Sequence, residues 1–183
     1  MTDMDIFARA YNSGDEFAQV VAACEKLGDY CVIGGHGVNA YSHTVFTADL
    51  DLVIASDKLE TVARDLVAQG FIREDFEYSV NFRKPGSRLM VQFSTDEFYR
   101  DFYQGAVTKQ VLDMPVKVAA IEKIITGKIA AWQDASRRPT KRLKDELDLA
   151  RLLEDNPGLR HLFPPKIVMT VFPPPSGRAR ELR

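Results

Sequence analysis

The sequence predicts an α+β fold, a mixed β-sheet flanked by helices and followed by a C-terminal helical segment. Three observations predict it. An apolar run, Tyr30-Cys-Val-Ile33, stops at Gly34-Gly35, and a second run, Thr47 to Ala55, alternates with period two. Phe71 to Ser94 stays strand-like around a turn at Lys84-Pro-Gly-Ser87. From Val118 onward the periodicity is helical only, so strands come first and helices last.

Taken in order, the first element reads as a helix. Ser13 followed by Glu16 has the spacing of a capping box, Phe17, Val20, Val21, Cys24 and Leu27 form one apolar stripe, and Gly28 closes it. Tyr30 to Ile33 is a short buried strand. Val38 to His43 suits one or two helical turns. In the strand Thr47 to Ala55, Leu50, Leu52 and Ile54 point one way, and Asp49, Asp51 and Val53 the other. Ser56 or Asp57 is placed to cap the next helix, whose stripe is Leu59, Val62, Ala63, Leu66 and Val67, with Gly70 at its end. Leu89 to Phe93 is the returning strand after the Pro-Gly turn. Val111 to Val118 contains Pro115, which suits a strand pair or a sheet edge. Helices follow over Val118 to Trp132 and Lys141 to Glu154, the second stopping before Asn156-Pro157-Gly158. These shifts divide the chain into an α/β core over 1–117, a helical segment over 118–163 and a proline-rich, basic tail over 164–183, expected to be loosely held.

With 183 residues, 45% hydrophobic and 27% charged, the chain can bury a core without disulfides or a structural metal. A net charge of -2 argues against a strongly basic surface made for nucleic acid. Cys24 and Cys31 sit in apolar contexts and read as buried free thiols. No apolar run approaches the ~20 residues a bilayer crossing needs, and the start of the chain lacks the apolar stretch of a signal peptide, so a cytoplasmic protein is expected, without a membrane partner.

The pair Asp49-Leu50-Asp51 is the most informative feature. Residues i and i+2 of a strand share a face at about 6.5–7 Å between Cα atoms. Two carboxylates so placed repel unless a cation lies near them, and hard Mg²⁺ seeks such oxygens beside a phosphate. A strand edge with two solvated acids has the same spacing. Gly34-Gly35 lets the backbone approach a phosphate closely, and is equally the signature of a simple turn. Lys128 borders the stripe Ile121, Ile124, Ile125, Ile129 and Trp132, where a lysine either snorkels or aims its ammonium at an anion. Lys141–Asp145 and Lys144–Asp148 are i,i+4 pairs, suited to a salt-bridged surface or to phosphate binding by Lys144 with Asp145 as orienting carboxylate or base. His36, next to the glycines, is placed to touch a ligand or face solvent.

In this order, Gly-Gly, a short helix, then Thr47-Ala-Asp-Leu-Asp51, the chain resembles the nucleotidyltransferase superfamily. It is most similar to the minimal proteins related to AbiEii abortive-infection toxins, which add a helical segment with a lysine and a Lys-Asp-x-x-Asp motif. Here these are Lys128 and Lys144-Asp-Glu-Leu-Asp148. The resemblance covers roughly residues 15 to 155. It implies Mg²⁺ or Mn²⁺ on Asp49 and Asp51, an NTP held by Gly34, Gly35, Thr47, Lys128 and Lys144, and catalytic roles for Asp49, Asp51 and Asp145. It further implies transfer of a nucleoside monophosphate to an RNA, protein or small-molecule hydroxyl, and a toxin role with a protein antitoxin as partner. A member that binds nucleotide or a protein without catalysis is the alternative. Two positions depart from the family pattern. A third acid is expected on the Leu89–Phe93 strand, where this chain has Gln92, with Asp96 and Glu97 as the nearest substitutes. A basic residue is expected two before Thr47, where this chain has Val45.

Overall fold

The structure, a computed structural model, describes residues 2–11 and 15–174. Two compact units make up the chain, Met1–Ile124 and Ile125–Arg183, and the division falls inside a helix rather than before it.

The first unit opens with α1, Asp3–Tyr11, which the sequence reading missed. Thr2 and Asp5 cap it reciprocally: the Asp5 amide donates to Thr2 Oγ1 and the Thr2 amide to Asp5 Oδ2, at 3.1 and 2.9 Å. Hydrogen bonding from the Thr2 amide, and then from its side chain, holds the Asp5 carboxyl below the usual carboxylate range. Asp3 and Asp5 lie at the positive end of the helix dipole, and Arg9 at its negative end. The expected cap at Ser13 lies outside the described residues. The second helix, α2 (Glu16–Glu25), buries Phe17, Val20, Val21 and Cys24, and Gly28 beyond it has φ +89°.

Seven strands form one sheet among the described residues, in the order β3-β4-β5-β2-β1-β7-β6. They are β1 Tyr30–Val32, β2 Asp49–Ile54, β3 Ile72–Asp75, β4 Ser79–Arg83, β5 Met90–Ser94, β6 Val107–Val111 and β7 Met114–Val118. The sheet is mixed: β2 runs antiparallel to β1 and parallel to β5, and β7 runs parallel to β1. The fold class is therefore α+β, as the element order predicts. Pro115 is tolerated because β7 meets β1 only at Val32↔Val118, so the missing N–H lies away from that ladder.

β2 is the middle strand. Leu50 and Leu52 are fully buried on one face, beside Val91 and Phe93 of β5. The other face carries Asp49 and Asp51, both half-buried, but its far end is apolar, since Val53 is 1% exposed. Between β1 and β2, α3 spans Gly34–Asn39, so the helix starts at the glycines and not at Val38. After β2, α4 (Ser56–Ala68) buries Val62, Ala63 and Leu66. Its N-cap is Ala55, without a side-chain cap from Ser56 or Asp57, and Val67 is exposed. Cys24 and Cys31 are buried and free; burial raises both thiols, Cys31 to about 12.

In the second unit, α5 (Ile121–Gln133) continues from the first and α6 spans Pro139–Asp155, with proline in its first turn. Residues 165–171 of the expected tail form a helix, α7 (Pro165–Val171), anchored by fully buried Ile167. Positions 175–183 lie outside the described residues. No helix among those described is long and apolar enough to cross a membrane.

Candidate functional site

The site begins where β1 ends. The Ile33 amide donates to the Asp51 carbonyl at 2.9 Å, extending the β1–β2 ladder by one residue, and the chain then turns into α3. The turn needs glycine twice over. Gly34 has φ +61°, and a Cβ there would lie 1.9 Å from Asp51 Oδ2. A Cβ on Gly35 would lie 2.7 Å from Thr47 Oγ1. The bare backbone of the Gly-Gly turn is thus seated on the side chains of Asp51 and Thr47.

Register extends the constellation sideways. Asp49 pairs with Met90 and Asp51 with Gln92, and Gln92 pairs in turn with Asn81 of β4. Paired residues point to one face, so Asp51, Gln92 and Asn81 form a polar row across three strands. Gln92 therefore occupies the place beside Asp51 where a third acid would stand. Asp96 and Glu97 do not replace it. Asp96 Oδ1 accepts from the Phe98 amide and caps the 3-10 turn Glu97–Tyr99, while Glu97 pairs with Arg100. Among the described residues, no three His, Cys, Asp or Glu side chains gather as a metal cluster. Asp49 and Asp51 supply two carboxylates on one face, a donor set that suits one divalent cation.

One further residue positions this site, and it was not singled out from the sequence. Asn39, at the end of α3, clamps the backbone of Val45: its Nδ2 donates to the Val45 carbonyl at 2.8 Å, and its Oδ1 accepts from the Val45 amide at 3.1 Å. The loop into Thr47 is held by an amide where a basic residue was expected. His36 neither faces solvent nor lies open to a ligand. It is 2% exposed, with Phe7 and Phe17 ring centroids at 5.6 and 5.4 Å. Phe7 belongs to α1, so the burial of His36 was invisible while that helix was missed. His36, Asn39 and Thr47 border a cavity of about 50 Å³, room for water rather than a nucleotide.

The second unit gathers the remaining candidates. Lys128 Nζ lies 3.0 Å from Asp145 Oδ1 and 2.7 Å from Asp148 Oδ2. Arg137 Nε pairs with Asp145 Oδ2, and Arg151 Nη1 with Asp148 Oδ1, both at 2.8 Å. Asp145, Asp148 and Arg151 are at most 3% exposed. Thus Lys128 neither snorkels nor stands free, and it replaces the i,i+4 partners Lys141 and Lys144, which are exposed. Both Asp145 oxygens face cations. That arrangement suits holding Lys128 better than taking a proton from a hydroxyl. Arg151 was missed, although its i+3 spacing from Asp148 within an apolar run was readable.

Burial alone would lower the Lys128 ammonium, but Asp148 and Asp145 outweigh it and hold it above its ordinary 10.5. A raised lysine stabilises the fold fully below that ordinary value and loses its contribution as pH rises through the folded one. The melting-temperature gap between the protein and Lys128→Met is therefore expected to stay constant from pH 6 to 9 and to narrow only in more alkaline solution. A gap that closes near neutrality contradicts this pairing.

Gly34→Ala is expected to displace the Asp51 carboxylate, besides a backbone cost of about 1–2 kcal/mol. Gly86→Ala is the control. It has φ +83° but open space where the Cβ would go, so it is expected to show the backbone cost alone and to lower the melting temperature less. Equal losses of stability in the two variants would count against the close fit on Asp51.

No family model and no curated protein matches the sequence. Solved structures do match. The antibiotic-resistance factor ANT(2'')-Ia superposes at TM-score 0.52 with 15% identity, over 80% of this chain and 94% of that one. The lincosamide antibiotic adenylyltransferase LnuA, bound to lincomycin, superposes at 0.54 with 12% identity, over 76% and 98%. An antigenic nucleotidyltransferase-like protein from Paracoccidioides brasiliensis superposes at 0.52 with 22% identity, over 75% and 74%. With a Gly-Gly turn seated on the strand that bears Asp49 and Asp51, the chain has the nucleotidyltransferase fold.

Proposed function

We propose that the chain transfers a nucleoside monophosphate from an NTP to an acceptor hydroxyl. The observation that carries this is the seating of the Gly34-Gly35 backbone on Asp51 and Thr47, with Asp49 beside them on the middle strand. Asp49 and Asp51 would hold Mg²⁺ or Mn²⁺, which supplies positive charge against the phosphates. The glycine backbone and Thr47 bind and orient the triphosphate. The acceptor oxygen bonds to the α-phosphorus, the bond to pyrophosphate breaks, and the hydroxyl proton leaves. Gln92 cannot take that proton, and Asp145 is engaged by two cations, so the proton passes to solvent and turnover is slow. Lys128 is taken up by Asp145 and Asp148 and is left out of the phosphate-binding set.

The acceptor is an RNA, a protein or a small molecule. The names of ANT(2'')-Ia and LnuA favour a small molecule, and the AbiEii-like motifs favour a toxin role with a protein antitoxin. A second reading rests on Gln92 beside Asp51: a chain that binds nucleotide and has lost transfer. Calorimetric titration with each of the four NTPs plus Mg²⁺, alongside an assay of pyrophosphate release, tests both. Metal-dependent binding with slow release supports transfer. Binding without release, over a broad acceptor panel, supports the second reading. Absence of binding to any NTP sinks both.

A further inference from the structure

We propose that the exposed face at the start of α6 docks onto the β3–β4 turn of a second copy of this chain. The face is an unusual one for a surface helix. Arg138, Lys141 and Lys144 are exposed and have no ion-pair partner among the described residues. Arg138 and Lys141 stand at the positive end of the helix dipole with no acid in the first turn, a placement that costs stability in isolation. Beside them Leu143 and Leu147, one helical turn apart, are 65% and 55% exposed.

The β3–β4 turn is the complement. Phe76 and Tyr78 are 58% and 59% exposed. The turn is held by the Phe76 amide donating to the Ser79 carbonyl and the Thr95 amide donating to the Tyr78 carbonyl, at 2.8 and 2.9 Å. The two rings are thus presented on fixed backbone at little entropic cost. Carboxylates outnumber guanidiniums around them: Glu60 and Asp75 share Arg73, Glu74 takes Arg83, and Glu77 adds a further charge at the tip. Basic meets acidic, and leucine meets aromatic.

Both halves of this pair lie on one sequence, and both stay exposed in a single copy, which is why the occupant is another copy. The patches differ, so the contact is heterologous and builds head-to-tail chains or rings. Its small size places it among weak, concentration-dependent associations.

Sedimentation velocity over a range of concentrations tests it. The weight-average mass is expected to rise with concentration and to fall back with added salt. Lys141→Glu with Lys144→Glu, and separately Glu77→Lys, are expected to weaken association about 10-fold or more each. Combining all three in one chain is expected to recover most of the loss. Constant monomer mass overturns the proposal, as does weakening by the α6 changes alone or failure of the combination to recover. A monomeric chain that binds an RNA oligonucleotide through Lys141 and Lys144 also overturns it, assigning the face to phosphate.

Discussion

Asp51→Asn is expected to abolish metal-dependent NTP binding while leaving the fold in place. The substitution keeps the size of the side chain, so the close approach of Gly34 is preserved. What it removes is one of the two carboxylate charges on that face of β2. Losing that charge forfeits several kcal/mol of interaction with metal and phosphates, about 100-fold or more in affinity. Asp49→Asn is expected to act in the same direction. Calorimetry reads the loss directly, and melting temperature separates it from unfolding. Retained binding in both variants places the nucleotide elsewhere on the chain.

Asp148→Ala is expected to have the largest effect on stability. Asp148 is 2% exposed and faces both Lys128 and Arg151. Removing one partner from a buried ion pair costs about 3–5 kcal/mol, because the opposing charge stays buried. For a chain of this length that corresponds to a fall in melting temperature of about 10 °C. Lys144→Ala, at the exposed i,i+4 neighbour, is expected to change stability by less than about 0.5 kcal/mol. A Lys144→Ala variant as damaged as Asp148→Ala contradicts the pairing described above.

That second comparison shows where the sequence was readable and where it was not. Local chemistry was legible: two glycines ending a strand and two acids alternating with leucines follow from spacing along one element, whereas Gln92 was singled out by the resemblance and its register with Asp51 is set by the sheet. The ion cluster was not. Spacing along α6 names Lys141 and Lys144 as partners for Asp145 and Asp148, but burial on the Leu149–Leu152 side decides for Lys128 on α5. A clue existed, because Asp145, Asp148, Leu149 and Leu152 recur at i, i+3, i+4 and i+7, which puts the acids on the apolar stripe. The first helix went unseen because it is only nine residues long, and its capping pair, Thr2 with Asp5, sits at the start of the chain. Missing it misplaced His36, whose environment is made by Phe7.

The central position of β2 bears on how the protein folds and breathes. The strand is laddered on both sides at Asp51 and Leu52, to β1 and to β5, while Asp49 and Leu50 pair with β5 alone, and about 40 residues separate β2 from β5 in sequence. Its amides are expected to be among the last to exchange with solvent, opening only when the whole sheet does. Asp51 therefore cannot be disarmed by local fraying, whereas Asp49 opens the strand and is held by β5 alone. Control over Asp49 falls to what surrounds the strand end, above all the Asn39-clamped loop that leads into Thr47.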